Sequence, residues 1–350
     1  MLGLCMIIAL LILLFSSQTM AAARLTAQVF VHSVMPALFP MMVLGGLMGT
    51  KMQATQQRTN KIVFQITFGF LAGSPASARQ LEALAQRQYI SKREYRAMLC
   101  MSGVMSPMFF TGTLASKIGS RAAWVMLLCH WTGALLTGAL FWVFSYKSRS
   151  SALASKQSGA SVPIAPGRTD HTILSALPLA VSNAASAQLS ILGVMIVSSM
   201  LVTIFQNVLI RLFPIWTEQN ALLISIGWAM MEIGGGMMAL LDSVPMVPSW
   251  LICALCSFGG LSIWMQNLLF LKQEIHPAEL LGYRMLHGVL AGILCYGVSS
   301  WLTKAGGVKE VTALTMASVH SAAPDRLPFW LAVFWLIILA CYQRLPRRRA

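Results

Sequence analysis

The stretch IVFQITFGFLAGSP, residues 62–75, decides how the rest of the chain reads. From Ile62 to Gly73 it is apolar for 12 residues, whereas a helix crossing a bilayer needs about 20. It therefore reads as half a span. Gly73-Ser74-Pro75 ends the run and begins another helix at once, with Ser74 in the form of an N-cap and Pro75 in the form of a first helical residue. That second helix runs to about Gln88, carries Arg79, Glu82 and Arg87, and is amphipathic.

Composition sets the solvent in which such a break occurs. The 350 residues are 57% hydrophobic and only 10% charged, and mean hydropathy is +0.71. A soluble domain is nearer a quarter charged, so a water-soluble fold is excluded. The expected class is an all-α polytopic membrane protein. Its net charge of +15 does not indicate a nucleic-acid partner, because the basic residues fall between apolar runs instead of forming one patch. Lys51, Arg58 and Lys61, or Lys147, Arg149, Lys156 and Arg168, or Arg344 to Arg349, read as loops and tails beside spans. The last group favours a cytoplasmic C-terminus.

Working outward from residues 62–75, the chain before them divides into an N-terminal transmembrane helix (1–24) and an apolar run from Leu25 to Thr50 that Pro36 and Pro40 should kink. After them, Ser91-Lys-Arg-Glu94 is a capping box that starts a helix through Met101. Ser102-Gly103 and Ser106-Pro107 mark a second break, and Ala122 to Tyr146 is a full span. Residues 147–170 form a basic Ser/Pro linker between a first half (25–146) and a second half (171–303). The second half has apolar runs over Ala187–Ile210, Ala221–Leu241 with a break at Gly234-Gly235-Gly236, Trp250–Leu271 with a break at Gly259-Gly260, and Met285–Leu302. A loop, a last span over Leu327–Tyr342 and a basic tail complete residues 304–350, giving roughly eight full or split crossings.

The two halves follow one plan. Gly73 and Gly103 are 30 residues apart, and Gly235 and Gly260 are 25 apart. Each half holds two neighbouring interrupted segments flanked by whole spans, the pattern that points to a transporter binding site.

Several strings carry a resemblance to a known family. They are Pro36-Ala-Leu-Phe-Pro40, Gly73-Ser-Pro-Ala-Ser-Ala-Arg79, Ile90-Ser-Lys-Arg-Glu94, Ser102 to Phe110, and FGGLSIWMQ at 258–266. In order and spacing, from about residue 25 to 300, they resemble the YlbJ-like sporulation integral membrane proteins, which belong with the nucleoside-recognition, or Gate, domain proteins. The chain departs from the family where a tyrosine is common near the first turn and asparagines precede the second Ser-Gly. The resemblance implies a multi-pass protein of the mother-cell, or outer forespore, membrane of an endospore former, moving dipicolinic acid during sporulation. A nucleoside or other small-solute transporter, or a non-transporting structural sporulation protein, are the alternatives.

Candidate site residues follow from the chemistry of an anionic solute. Helix N-termini present free amides and a partial positive charge, so Gly73, Ser74 and Pro75, Ser102, Gly103, Ser106 and Pro107, Gly234 and Gly235, and Gly259, Gly260 and Ser262 are candidate substrate contacts. The alternative is that these breaks are kinks that let helices pack closely. Arg79, four residues after Pro75, either pairs with a carboxylate through its fork or serves as positive-inside flanking. Glu232 is the acidic residue in the middle of an apolar segment, where a carboxylate is costly; proton or ion coupling, a hydrogen bond to the broken backbone and a wet cavity edge are its three readings. Gln266 matches the family pattern.

His32, His130 and His287 read as isolated core or helix-contact residues, and no His/Asp/Glu cluster has metal-ligand spacing. Cys253 and Cys256 have C-x-x-C spacing in an apolar run and read as packing residues. There is no Walker A sequence and no Ser/His/Asp order, so the expected protein is not an enzyme, carries no cofactor, and has the lipid bilayer and a small anion as partners.

Overall fold

The computed structural model describes residues 2–54, 58–86, 89–147, 173–244, 246–272 and 275–304. The linker beyond Lys147, Arg87, the expected span Leu327–Tyr342 and the basic tail lie outside the described residues. What is described is helical: α1 (Leu2–Leu14), α2 (Ser16–Val29), a π-turn over Phe30–Val34, α3 (Met35–Ala54), α4 (Arg58–Ala72), α5 (Ala76–Gln86), α6 (Lys92–Ser102), a second π-turn over Phe109–Leu114, α7 (Ala115–Ile118) and α8 (Ser120–Lys147). Then follow α9 (Ile173–Leu212), α10 (Pro214–Gln219), α11 (Ala221–Met231), α12 (Ile233–Ser243), α13 (Ser249–Phe258), α14 (Gly260–Leu268) and α15 (Pro277–Lys304).

Among the described residues, five helical stretches are long and apolar enough to cross a membrane: Ser16–Gly49, Ser120–Phe144, Leu174–Leu212, Ser249–Leu268 and Pro277–Leu302. Their outer faces carry large apolar side chains, with Leu174 81% and Trp301 67% exposed. Water would reject such a surface and lipid accepts it, so the chain is built as an α-helical membrane protein.

Several boundaries differ from the sequence reading, each for a local reason. Residues 1–24 are not one helix: α1 stops at Leu14, Phe15 leaves helical geometry, and α2 runs on through Arg24 toward α3. The kink expected from Pro36 takes the form of the first π-turn, in which the Met35 amide reaches back to the Phe30 carbonyl just before the proline. Helix α9 starts at Ile173, well ahead of Ala187, and carries Pro178 within it. Helix α15 starts at Pro277 rather than Met285, because the charges in its first part are buried or paired instead of ending the helix.

The centre of the bundle is α8, α13 and α15 packed through small residues. A Cβ on Gly133 of α8 would lie 3.0 Å from the Ala291 Cβ of α15, and one on Gly292 would lie 3.0 Å from the Ala254 Cβ of α13. Small residues let backbones approach, which is how helices gain contact energy where lipid competes for apolar surface. Phe70, Phe110, Leu127, Met237 and Ile252 fill the space around them. A second core, with Phe30, Phe64, Phe68 and Ile191, joins α4 to the long helices α3 and α9.

Two broken helix pairs that cross at their breaks

The first crossing is made by the breaks at Gly73–Pro75 and Ser102–Pro107. Gly73 has φ +71°, and a Cβ there would lie 2.5 Å from the Ser106 amide nitrogen and 2.6 Å from its Cα. Only glycine meets both demands. The Ser74 amide donates to the Val104 carbonyl, so one broken backbone satisfies the other. Gln65 of α4 clamps the pair by donating to the Ser77 carbonyl at 2.9 Å and the Ser102 hydroxyl at 3.3 Å. Ser102 in turn donates to the Met98 carbonyl.

The two sequence caps behave differently here. Ser106 accepts from the Met108 amide at 3.2 Å, as an N-cap before Pro107 should. Ser74 does not cap α5: its hydroxyl donates instead to Asn267 Oδ1 of α14 at 2.6 Å. The capping box is present, with Ser91 accepting from the Glu94 amide and Glu94 accepting from the Ser91 amide.

The second crossing is made by the breaks between α11 and α12 and between α13 and α14. Gly259 and Gly260 both have positive φ, +82° and +75°, and a Cβ on Gly260 would lie 3.1 Å from the Ile233 amide nitrogen. The first of these breaks falls at Glu232 rather than within the triple glycine. Glu232 is extended, and its carboxylate accepts from the Gly234 amide at 2.9 Å and the Gly235 amide at 2.6 Å. The free amides of α12 are thus taken by the chain's own carboxylate, which the helix dipole also favours. Of the three readings of Glu232, the hydrogen bond to the broken backbone is the one the geometry contains. Ser262 and Gln266 are buried in α14, beside the Asn267 that makes the contact to Ser74.

His130 of α8 joins the crossings. Its Nε2 accepts from the Met105 amide at 3.0 Å, so the ring proton is on Nδ1, which donates to Ser257 Oγ at 2.8 Å, two residues before Gly259. His287 of α15 stacks against it, with ring centroids 4.7 Å apart, and donates from Nε2 to the His130 carbonyl at 2.8 Å. His130 and His287 are buried helix-contact residues, as the sequence reads, but they are partners of one another and not isolated. On the outer side, Lys117 of α7 pairs with Asp242 of α12 at 2.5 Å. Cys253 and Cys256 are free thiols buried in the packing of α13.

Arg79 belongs to a separate space. A cavity of about 310 Å³ lies between α3, α5 and the start of α9, lined by Gly45, Gly46, Gly49, Arg79, Gln80 and Asn183 among others. Arg79 donates from Nη1 to the Asn183 carbonyl at 3.0 Å, and burial lowers its pKa from the ordinary arginine value. Behind it, the hydroxyl of Tyr95 donates to the buried Glu82 at 2.9 Å; burial first, then that carboxylate, push the phenol up, so it stays a donor.

Sequence reasoning set Asn267 aside in favour of Gln266, and it missed Gln65, Arg284 and the His130–His287 pair. A weak signal existed for Arg284 and His287: both are polar, three apart, and so on one face of an apolar helix. The architecture is that of an α-helical membrane protein in which two pairs of interrupted helices cross at their breaks. No family model, no curated protein and no solved structure matches the chain.

Proposed function

We propose that the chain is a secondary transporter for a small anionic solute, built from two related halves and working by alternating access around its broken helices. The observation that carries this reading is the meeting of both interrupted pairs. Gly73 rests on Ser106, Gly260 rests on the Ile233 backbone, and Ser74–Asn267 and Met105–His130–Ser257 tie the two crossings together. Interrupted helices in matching places of two halves are where transporters hold solute and ions.

The resemblance to the YlbJ-like proteins supplies the first solute to try, dipicolinate, and the setting, the outer forespore membrane of an endospore former. Liposomes containing the full chain should take up dipicolinate, and spores of a deletion strain should be poor in it while the mother cell still makes it. Uptake of uridine in place of dipicolinate would move the reading to a nucleoside transporter. Normal spore dipicolinate together with failed engulfment or coat assembly would defeat transport in favour of a structural role.

A further inference from the structure

Arg284 stands on α15 within the membrane-crossing stretch Pro277–Leu302 and is 6% exposed. Its Nη2 has no hydrogen-bond partner, and no carboxylate among the described residues pairs with it. The acid nearest in sequence, Glu279, is engaged by the Tyr283 hydroxyl and by Arg96 at 3.6 Å. Glu232 is held by the amides of α12, and Glu82 by Tyr95 and Gln86. An ionic group at membrane depth without a counter-charge is among the costliest arrangements a bundle can hold, and such groups mark solute and ion paths.

Its position makes the solute the missing partner. Arg284 Nη2 lies where Gly103 ends α6, and a Cβ on Gly103 would be 2.2 Å from it. The absent side chain is what admits the guanidinium to the first crossing. One turn further on the same face of α15, His287 is 1% exposed; with Nε2 committed to the His130 carbonyl, its Nδ1 has no partner. A charged guanidinium and an imidazole, each with one buried nitrogen that lacks a hydrogen-bond partner, thus stand together on the part of α15 that packs against the broken helix.

We infer that Arg284 is the residue that reads the anion: its planar fork takes a carboxylate of the transported solute at the Gly103 break. Arginine suits this role because the fork matches a carboxylate in two parallel hydrogen bonds and stays charged when dehydrated. The assignment rests on the transporter reading and names the group that selects its solute.

The test uses the full chain in lipid nanodiscs and liposomes, with dipicolinate as probe and inorganic phosphate and uridine as comparators. Melting midpoints with and without probe report binding, and counterflow reports movement. Wild type should bind and move dipicolinate. Arg284→Met, relieved of an unpartnered charge, should melt no lower than wild type without probe yet bind it about tenfold or more weakly. Arg284→Lys keeps the charge and loses the fork, and Gly103→Ala keeps Arg284 and displaces it. Both should weaken binding of dipicolinate, and they decide the matter if Arg284→Met does not fold. Unchanged dipicolinate affinity in Arg284→Lys and Gly103→Ala overturns the assignment alone. Wild-type movement of uridine but neither anion overturns it and leaves a transporter. No movement of any probe by wild type overturns both.

Discussion

Replacing Gly73 by alanine tests the crossing most directly, because two separate costs meet at that residue. Its φ of +71° is left-handed, which costs an L-residue about 1–2 kcal/mol. The added Cβ would also lie 2.5 Å and 2.6 Å from the Ser106 nitrogen and Cα. Those atoms are backbone and cannot rotate away, so overpacking adds about 1–3 kcal/mol. Gly73→Ala should therefore destabilise the protein by about 2–5 kcal/mol. Two controls divide the total. Gly259 is left-handed at φ +82° and ψ −3°, with only ordinary contacts of 3.8–3.9 Å at its Cβ position, so Gly259→Ala carries only the conformational cost. Gly193, inside α9 with nothing within 4 Å of its Cβ position, should accept alanine and gain up to about 1 kcal/mol. Denaturation of the full chain in micelles, followed by fluorescence of its 10 tryptophans, gives all three values. Ser106→Gly should not rescue Gly73→Ala, since it leaves the two closest backbone atoms in place. If Gly73→Ala is no worse than Gly259→Ala, the two breaks do not touch; if it equals wild type, the left-handed turn is absent as well.

Asn267→Ala should cost about 1–3 kcal/mol in the same assay by leaving the Ser74 hydroxyl buried without its acceptor, and adding Ser74→Ala should recover part of that loss. Glu232→Gln keeps one carbonyl oxygen for two amides, so α12 should lose about 0.5–2 kcal/mol of capping. The same variant decides coupling, since an unchanged pH profile of dipicolinate uptake would remove Glu232 from any proton pathway. Arg79→Lys should leave membrane insertion intact and reduce dipicolinate uptake several-fold if the fork in the cavity matters; equal uptake would make Arg79 a topology residue only.

The sequence was most legible where a backbone rule operates locally. Gly73-Ser-Pro75 and Gly259-Gly260 could be placed to the residue because glycine and proline announce a break by their own torsional limits, and the Ser91 capping box because its partners are three residues apart. The second-half break was misplaced into the triple glycine because glycine is the louder signal. The residue that leaves the helix is Glu232, whose side chain can satisfy the amides that the glycines expose. Helix starts at Ile173 and Pro277 were missed because polar and charged residues such as Asn183 and Arg284 read as ends of apolar runs, yet they sit inside continuous helices. The meeting of Ser74 with Asn267 and of His130 with Ser257 and His287 is set by tertiary packing between helices remote in the chain, and no pattern of local spacing encodes it.

The bond between Ser74 and Asn267 spans 193 residues, and it has a consequence for synthesis. At about 5–20 residues per second, a ribosome needs roughly 10–40 s after making Ser74 before its partner emerges. For that interval the interrupted N-terminal segments reside at the translocon or in lipid with a polar turn whose final hydrogen-bond acceptor does not yet exist. Until then the Ser74 hydroxyl can bond only water or a nearby carbonyl, so the tie between the two crossings forms after α14 has been made.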